Sequence, residues 1–544
     1  MHLRYFPLVL EIFHNIQCMN NQSYTRRKTA RETRLDAAET AFIRDHEQHP
    51  NNGDEQSYTN NNGQFSFIAN FSKGLKHNDR GEVNPDSYKS LLRALWSGNP
   101  NDFEAIVLGG KRKLVNPQAG LAYDLEGPDS GSLKIRPAPR MDSAEAAGEM
   151  VEDYWMALAR DVSFSEYENS SVISDASADL SKLSDFRGPK IEGSVTADTI
   201  FRGNTIGDLK GPFLSQFLVL GSSIPEYGLS PEDGFLKYGT LLINQRQTTV
   251  MPNTDYMTTA KDWLAVQNGA TPDTLQNVDQ EQRFIRNLRD LAHYVHFDAL
   301  YQAYLNAGLY LLSRQSPLDL GNPYRDSGTQ YGFGTFGDAH ILSLIPEVAT
   351  RALKAVWFQK WFVHRRLRPE EFGGRIHFHK NNMAVYPIHS DVLDSDALIQ
   401  IGEKFSKGTT TNYFLPQVFP EGGPTHPAYG AGHATVAGAC VTILKAWFDE
   451  SQTIENPFQP NVDGTCLEPY VGSDKLNVGD ELNKLAANIS LGRNAAGVHY
   501  RTDYTESIVL GEEVAIGILE EQKLTYNENH RFSFIKFDGT AVTI

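Results

Sequence analysis

Between Val278 and Arg314, apolar side chains recur at Phe284, Leu288, Leu291, Val295, Ala299 and Tyr304, close to the spacing of one helix face. Residues three or four apart share a face of an α-helix, and a face this long must be buried against other elements. The stretch therefore predicts one or two long core helices. The same period runs through Ser143 to Arg160, Pro346 to about Arg366, Gly432 to Phe448, and Thr502 to Gln522, where Tyr504, Ile508, Ala515 and Leu519 line one side. Strand-like alternation stays at the periphery. Phe532 to Phe537, an Asp538-Gly539 turn and the closing Thr540 to Ile544 read as a hairpin, and Gly239 to Met251 as a second strand region. The Asn-rich His49 to Gly63 and Ser-rich Glu166 to Ser184 stretches read as polar loops. No repeat in the range of about 20 to 50 residues is visible, which excludes a solenoid. The expected fold is mainly α, helix bundles with small peripheral β-hairpins.

A chain of 544 residues is long enough for several domains. The expected arrangement is an extension over residues 1–30, a helical part over 31–280 and a second helical part over 281–544, joined as one continuous domain. The formal charge of −17 excludes a general nucleic-acid binder, because phosphate backbones need a basic footprint. It also requires any anion site to create its positive field locally. Three cysteines, Cys18, Cys440 and Cys466, are too few for a disulfide-built scaffold, although one bridge between subunits through Cys466 stays open. The apolar patch in the first twenty residues is interrupted by Glu11 and has no small-residue cleavage site. The expectation is thus no signal peptide, with the cytoplasm favoured, or a start codon misassigned ahead of Met19. No run reaches the roughly 20 apolar residues of a membrane span, so a soluble protein without membrane association is expected.

Three short motifs carry the chemistry. Lys360-x7-Arg368-Pro369 lies where the helix beginning near Pro346 must stop, since Pro369 biases Arg368 out of the helical region. A guanidinium leaving the helix end can fork onto two oxygens of one anion, although the same basic run would also suit a helix C-terminus. In His426-Pro-Ala-Tyr-Gly430-Ala431-Gly432-His433, glycines let the backbone approach a ligand and the amides of the next helix point at it. Val436, Cys440, Ile443 and Trp447 pack that helix into the core and hold His433 at its start. A zinc site from His426 and His433 is not supported by their spacing or by any neighbouring ligand. In Arg493-x5-His499-x3-Asp503, a flexible loop is expected to carry Arg493 and deliver His499 to another helix, with Asp503 in its first turn. Together these supply three fixed cations and two histidines for one tetrahedral or trigonal-bipyramidal oxyanion.

On these motifs the chain resembles the vanadium-dependent haloperoxidases, which share a site with the type-2 phosphatidic acid phosphatases. Gly430-Ala431 stands where that pattern has Pro-Ser, and Leu491-Gly492 separates Ser490 from Arg493. Flanks such as Gly332 to Gly337, Val348 to Trp357 and Gly492 to Arg501 look like algal and bacterial bromoperoxidases. The resemblance implies a helix-bundle fold of the haloperoxidase and acid phosphatase type, with the vanadate site in the 281–544 part. It implies that His499 bonds vanadium, that Lys360, Arg368, Arg493 and the Gly432 amide hold the vanadate oxygens, and that His433 deprotonates incoming peroxide. Position 431 would supply a serine hydroxyl to the same oxyanion, and Ala431 lacks it. His426 stands where bromoperoxidases carry histidine, which implies bromide and iodide rather than chloride, and Trp357 would wall a halide pocket. Hypohalous acid then halogenates a small organic acceptor. The resemblance also implies a dimer-based homo-oligomer, up to a dodecamer, and a calcium candidate in the Asn322 to Gln330 loop with Asp326.

Two other function classes stay open on the residues. A soluble phosphomonoesterase would use the same groups with His499 as nucleophile. A catalytically weakened oligomeric helical protein would keep a vestigial anion site, with Ala431 as its sign.

Overall fold

A computed structural model describes residues 6–43, 48–274 and 276–544, with the backbone alone for residues 6–24. The apolar side chains at the head of the chain and the Cys18 thiol lie outside the described residues, whereas Cys440 and Cys466 are free thiols. Helix α1 (Phe6–Ile43) runs through the boundary expected at residue 30, and most side chains from Thr25 onward are exposed. Helix α2 (Pro85–Ser97) starts on Asn84, whose side chain accepts from the Asp86 and Ser87 amides.

The central layer begins with α3 (Ala144–Ala159), capped by Ser143 and buried along nearly its whole length. Helix α4 (Ser171–Lys182) occupies the Ser-rich stretch expected to be a loop. Ser170 caps it, and Ile173, Ala176 and Leu180 bury one face; three apolar residues suffice because polar serines occupy the outer side. Asp179 joins α4 to its neighbours, accepting from Trp155 Nε1 at 2.8 Å and the Ala397 amide at 3.0 Å.

The long period from Val278 resolves into two helices, α5 (Leu288–Phe297) and α6 (Gln302–Ser313), because Asn287 caps the first and Asp298 ends it. Helix α7 (Asp338–Phe358) begins ahead of Pro346 rather than at it. The proline removes one backbone bond, but Ile341, Leu344, Ile345 and Val348 keep one buried face continuous across it. A wide π-helical turn, Gln359–His364, follows before Arg365 reverses the chain in the left-handed region at φ 44°. Helix α8 (Pro369–Lys380) starts with proline at its first position, and α9 (Asp396–Phe405) with a Ser395 cap.

Three helices complete the bundle: α10 (Gly432–Trp447), α11 (Val478–Ala495) and α12 (Arg501–Lys523). Helix α10 lies against α12, α7 and α11, while α11 lies against α5. At the α10–α12 crossing, a Cβ on Gly438 would overlap the Ile508 carbonyl and one on Gly511 the Thr435 carbonyl. The two backbones therefore touch only because both positions are glycine.

The strands form two-stranded antiparallel hairpins at the periphery. Phe235–Tyr238 pairs with Leu241–Asn244 about a turn at Gly239, so the second strand region starts earlier than expected. Ser533–Ile535 pairs with Ala541–Thr543 about the expected Asp538-Gly539 turn, with Gly539 at φ 85°. Among the described residues no helix is long and apolar enough to cross a membrane.

Candidate active site

The three motifs converge at one end of the bundle, where α10 and α12 both begin. A cavity of about 240 Å³ opens there, lined by Trp357, His426, Gly432, His433, Arg493 and His499 together with Arg112, His296, Leu300, Leu353 and Pro424.

Lys360 comes from the π-helical turn after α7, is fully buried, and donates to the Pro427 and Ala428 carbonyls at 2.8 and 2.9 Å. Burial first, then the charges of Arg368 and Arg493, hold its ammonium well below the usual lysine range. Arg368 sits in extended conformation just before α8, as Pro369 dictates. Its Nε donates to the His426 carbonyl at 2.8 Å, Nη1 to the Val498 carbonyl at 2.7 Å and to His499 Nε2 at 3.1 Å, and Nη2 to His426 Nδ1 at 2.8 Å. The guanidinium thus braces both histidines.

Arg493 lies on the last turn of the buried helix α11, not on a flexible loop. Gly492 belongs to that helix because its bare face meets Leu291 and Val295 of α5, and only Gly497, at φ 83°, makes the turn. Arg493 Nη1 donates to the Val295 carbonyl at 2.9 Å, while the buried Nε has no hydrogen-bond partner among the described residues. Among the described residues, no carboxylate lies within ion-pair distance of Lys360, Arg368 or Arg493. Three basic groups are therefore held out of water with no carboxylate in contact, Asp503, Asp298 and Glu421 acting on them only from further away, an arrangement that favours an incoming anion.

His499 Nδ1 faces Asp503 Oδ2 at 2.7 Å, which makes Nδ1 the protonated nitrogen and leaves the Nε2 lone pair on the side of Arg368. Burial and then Arg368, Lys360 and Arg493 push its pKa well down, so the ring is neutral and a donor to an electrophile. Asp503 also accepts from the Tyr500 amide at 3.2 Å, capping α12 as its position implies. Burial raises Asp503 to about 6 against the opposing charge of Arg366, whose Nη1 lies 3.2 Å from Asp503 Oδ1 and whose Nη2 lies 2.7 Å from Glu149 Oε2.

His433 stands on the first turn of α10 with Nε2 3.0 Å from Asp298 Oδ1. Burial lowers its pKa, and Asp298 opposes the shift. His426 rests 4.8 Å from the Trp357 ring, centroid to centroid, and Trp357 Nε1 donates to the Val115 carbonyl at 3.2 Å. Gly432 opens α10, and Trp357 lies across the face where a side chain would project. Ala431 caps the helix; its N–H donates to Ser507 Oγ at 2.8 Å, and its carbonyl accepts from Thr435 Oγ1 at 2.8 Å.

Of the eight site residues expected from the motifs, His426, Gly432, His433, Arg493 and His499 line one cavity; Arg368 stands behind its wall on His426 and His499, Lys360 on the Pro427 and Ala428 carbonyls, and Ala431 beside Gly432. Asp298, His296, Glu421 and Arg112 were not legible beforehand. Asp298 reaches His433 from the far end of α5, and nothing local marks it. Asp326 is the one carboxylate in its loop, and among the described residues no group of three His, Cys, Asp or Glu is placed to hold a metal ion.

Fold and site together define a helical oxyanion-binding enzyme. The family model described as the VCPO second helical-bundle domain matches residues 402–527. Two vanadium-dependent bromoperoxidases, of Corallina officinalis and Corallina pilulifera, are each 40% identical, over 96% of this chain and 98% of theirs. The homohexameric structure of the second vanadate-dependent bromoperoxidase of Ascophyllum nodosum superposes with a TM-score of 0.88 at 29% identity, covering 95% of this chain and 90% of that one. The chain belongs to the vanadium-dependent bromoperoxidase family.

Proposed function

We propose that the chain oxidises bromide, and iodide, with hydrogen peroxide at this cavity, giving hypohalous acid that halogenates small organic acceptors. The carrying observation is the set of three buried basic side chains without carboxylates in contact around a neutral, cavity-lining histidine whose Nε2 meets Arg368. A vanadate anion fits that donor set, and the buried Nε of Arg493, which has no hydrogen-bond partner among the described residues, would add a donor.

Vanadate, when bound, supplies a Lewis acid that activates peroxide for attack by halide. His499 would hold the metal through Nε2, with Asp503 fixing the tautomer. Lys360, Arg368 and Arg493 would neutralise the oxygens, and the Gly432 amide at the positive end of α10 would add a donor. His433, lowered by burial and so neutral near pH 7, can take the peroxide proton, and Asp298 stabilises the resulting imidazolium. His426 and Trp357 wall the space where halide would approach.

Ala431 offers no hydroxyl to the oxyanion. The test is bromination of monochlorodimedone with added vanadate and peroxide, beside hydrolysis of p-nitrophenyl phosphate without vanadate. Bromination alone is expected; phosphatase turnover alone would replace this reading with a phosphomonoesterase using His499, and neither activity would mean a vestigial site.

One hydrophobic cluster draws residues from both sides of position 280, and a second around Phe71 and Tyr88 includes Trp361, which supports treating the 31–280 and 281–544 parts as one domain. A homo-oligomer is proposed, its size to be read by mass photometry, with hexamer and dodecamer as the two expected values. Calcium at the Asn322 to Gln330 loop would rely on Asp326 and carbonyl oxygens; a melting temperature unchanged by a calcium chelator and by Asp326→Asn would remove it.

A further inference from the structure

A strongly acidic protein whose substrate is an anion has an electrostatic difficulty at its entrance. The whole-chain charge of −17 repels bromide, and the cations that would attract it lie deep in the cavity, where vanadate would neutralise them. The entrance carries its own answer. Lys111, Arg112 and Lys113 are consecutive, the half-buried Arg112 lines the cavity, and the two flanking lysines are exposed. The segment is fixed beside the site by its backbone. The Lys113 carbonyl accepts from Thr425 Oγ1 at 2.6 Å, the Val115 amide donates to the Thr425 carbonyl at 2.9 Å, and the Val115 carbonyl accepts from Trp357.

Among the described residues, none of the three cations has a carboxylate within ion-pair distance, and no carboxylate lines the cavity. Arg112 spends one N–H on the Glu421 carbonyl at 2.9 Å; the Glu421 carboxylate lies beyond ion-pair distance, bonded to His296 Nε2 at 3.0 Å, its pKa lowered in part by the charge of Arg112.

We propose that the Lys111-Arg112-Lys113 segment is a halide-concentrating rim, which raises the local density of monovalent anions at the mouth without contacting the reacting atoms. A local potential multiplies anion concentration whether or not encounter limits turnover, so the rim acts on the KM for bromide. Hydrogen peroxide is neutral and passes unaffected, which separates a field effect from a damaged site.

The test uses the vanadate-loaded enzyme and the triple variant Lys111→Gln/Arg112→Gln/Lys113→Gln. At low ionic strength the KM for bromide should rise roughly 3- to 10-fold, while the KM for peroxide stays fixed. The difference should vanish as sodium nitrate shortens the screening length from about 30 Å at 0.01 M ionic strength to about 3 Å at 1 M. The charge-preserving Lys111→Arg/Arg112→Lys/Lys113→Arg protein should keep the parental KM for bromide. An unchanged KM for bromide at low salt, an equal rise for peroxide, a defect that persists at high salt, or a charge-preserving protein as impaired as the triple variant would each overturn the proposal.

Discussion

At the residue scale the site turns on positions that change one function at a time. His499→Ala removes the inward lone pair, so bromination at saturating vanadate should fall to background while the helical circular-dichroism signal persists. Ala431→Ser restores a hydroxyl beside the Gly432 amide. A charge-assisted hydrogen bond of about 1.5 to 3 kcal/mol would tighten vanadate binding by at most roughly 10- to 150-fold, read by titrating vanadate-free protein. An unchanged dissociation constant would mean that position 431 does not face the oxyanion. Lys360 sets a pH dependence. Its depressed pKa in the anion-free site rises when an anion binds, so binding takes up a proton, and affinity for phosphate should fall as pH climbs from the depressed value toward the ordinary lysine value of about 10.4. Burial lowers Arg368 to about 9 and Arg493 to about 10, so the arginines add to the slope only at the top of that range. A flat profile by calorimetry would show that Lys360 is already charged in the free site. Lys360, Arg368, Gly432, His433, Arg493 and His499 were legible because each sits in a short contiguous motif. Asp298 was not, because its partner His433 lies 135 residues away and the contact exists only after folding.

At the element scale, the start of α10 and the start of α12 are held in register by the glycine crossing at Gly438 and Gly511. Gly511→Ala pushes its Cβ into the Thr435 carbonyl, and overpacking of this kind typically destabilises by about 1 to 3 kcal/mol. Because both helix starts carry site residues, the variant should also lose vanadate affinity, whereas an exposed-helix substitution of equal ΔTm should not. Retained affinity at reduced stability would disconnect the crossing from the site. Sequence periodicity identified both helices within a residue at each start, since each has a long buried face. It failed for α4, whose buried face is only three apolar residues, and for Arg493, where glycines on either side suggested a loop. Gly492 is instead a packing glycine against α5, and only the tertiary contact distinguishes the two roles.

At the scale of the whole molecule, the fold class was readable from periodicity, while the gathering of distant motifs at one helix end was not, because no local pattern encodes which helix starts meet. Basic groups buried with no carboxylate in contact have a consequence for folding as well as chemistry. Like charges held together in a dry cavity oppose the native state, so the anion-free protein carries an internal strain that any tetrahedral oxyanion relieves. Vanadate would then act as a folding ligand. At a free concentration one hundred times its dissociation constant it should stabilise the native state by about 2.7 kcal/mol, and phosphate should raise the melting temperature in the same way at higher concentration. The protein would thus report the occupancy of its own site through its resistance to heat, before any peroxide is added.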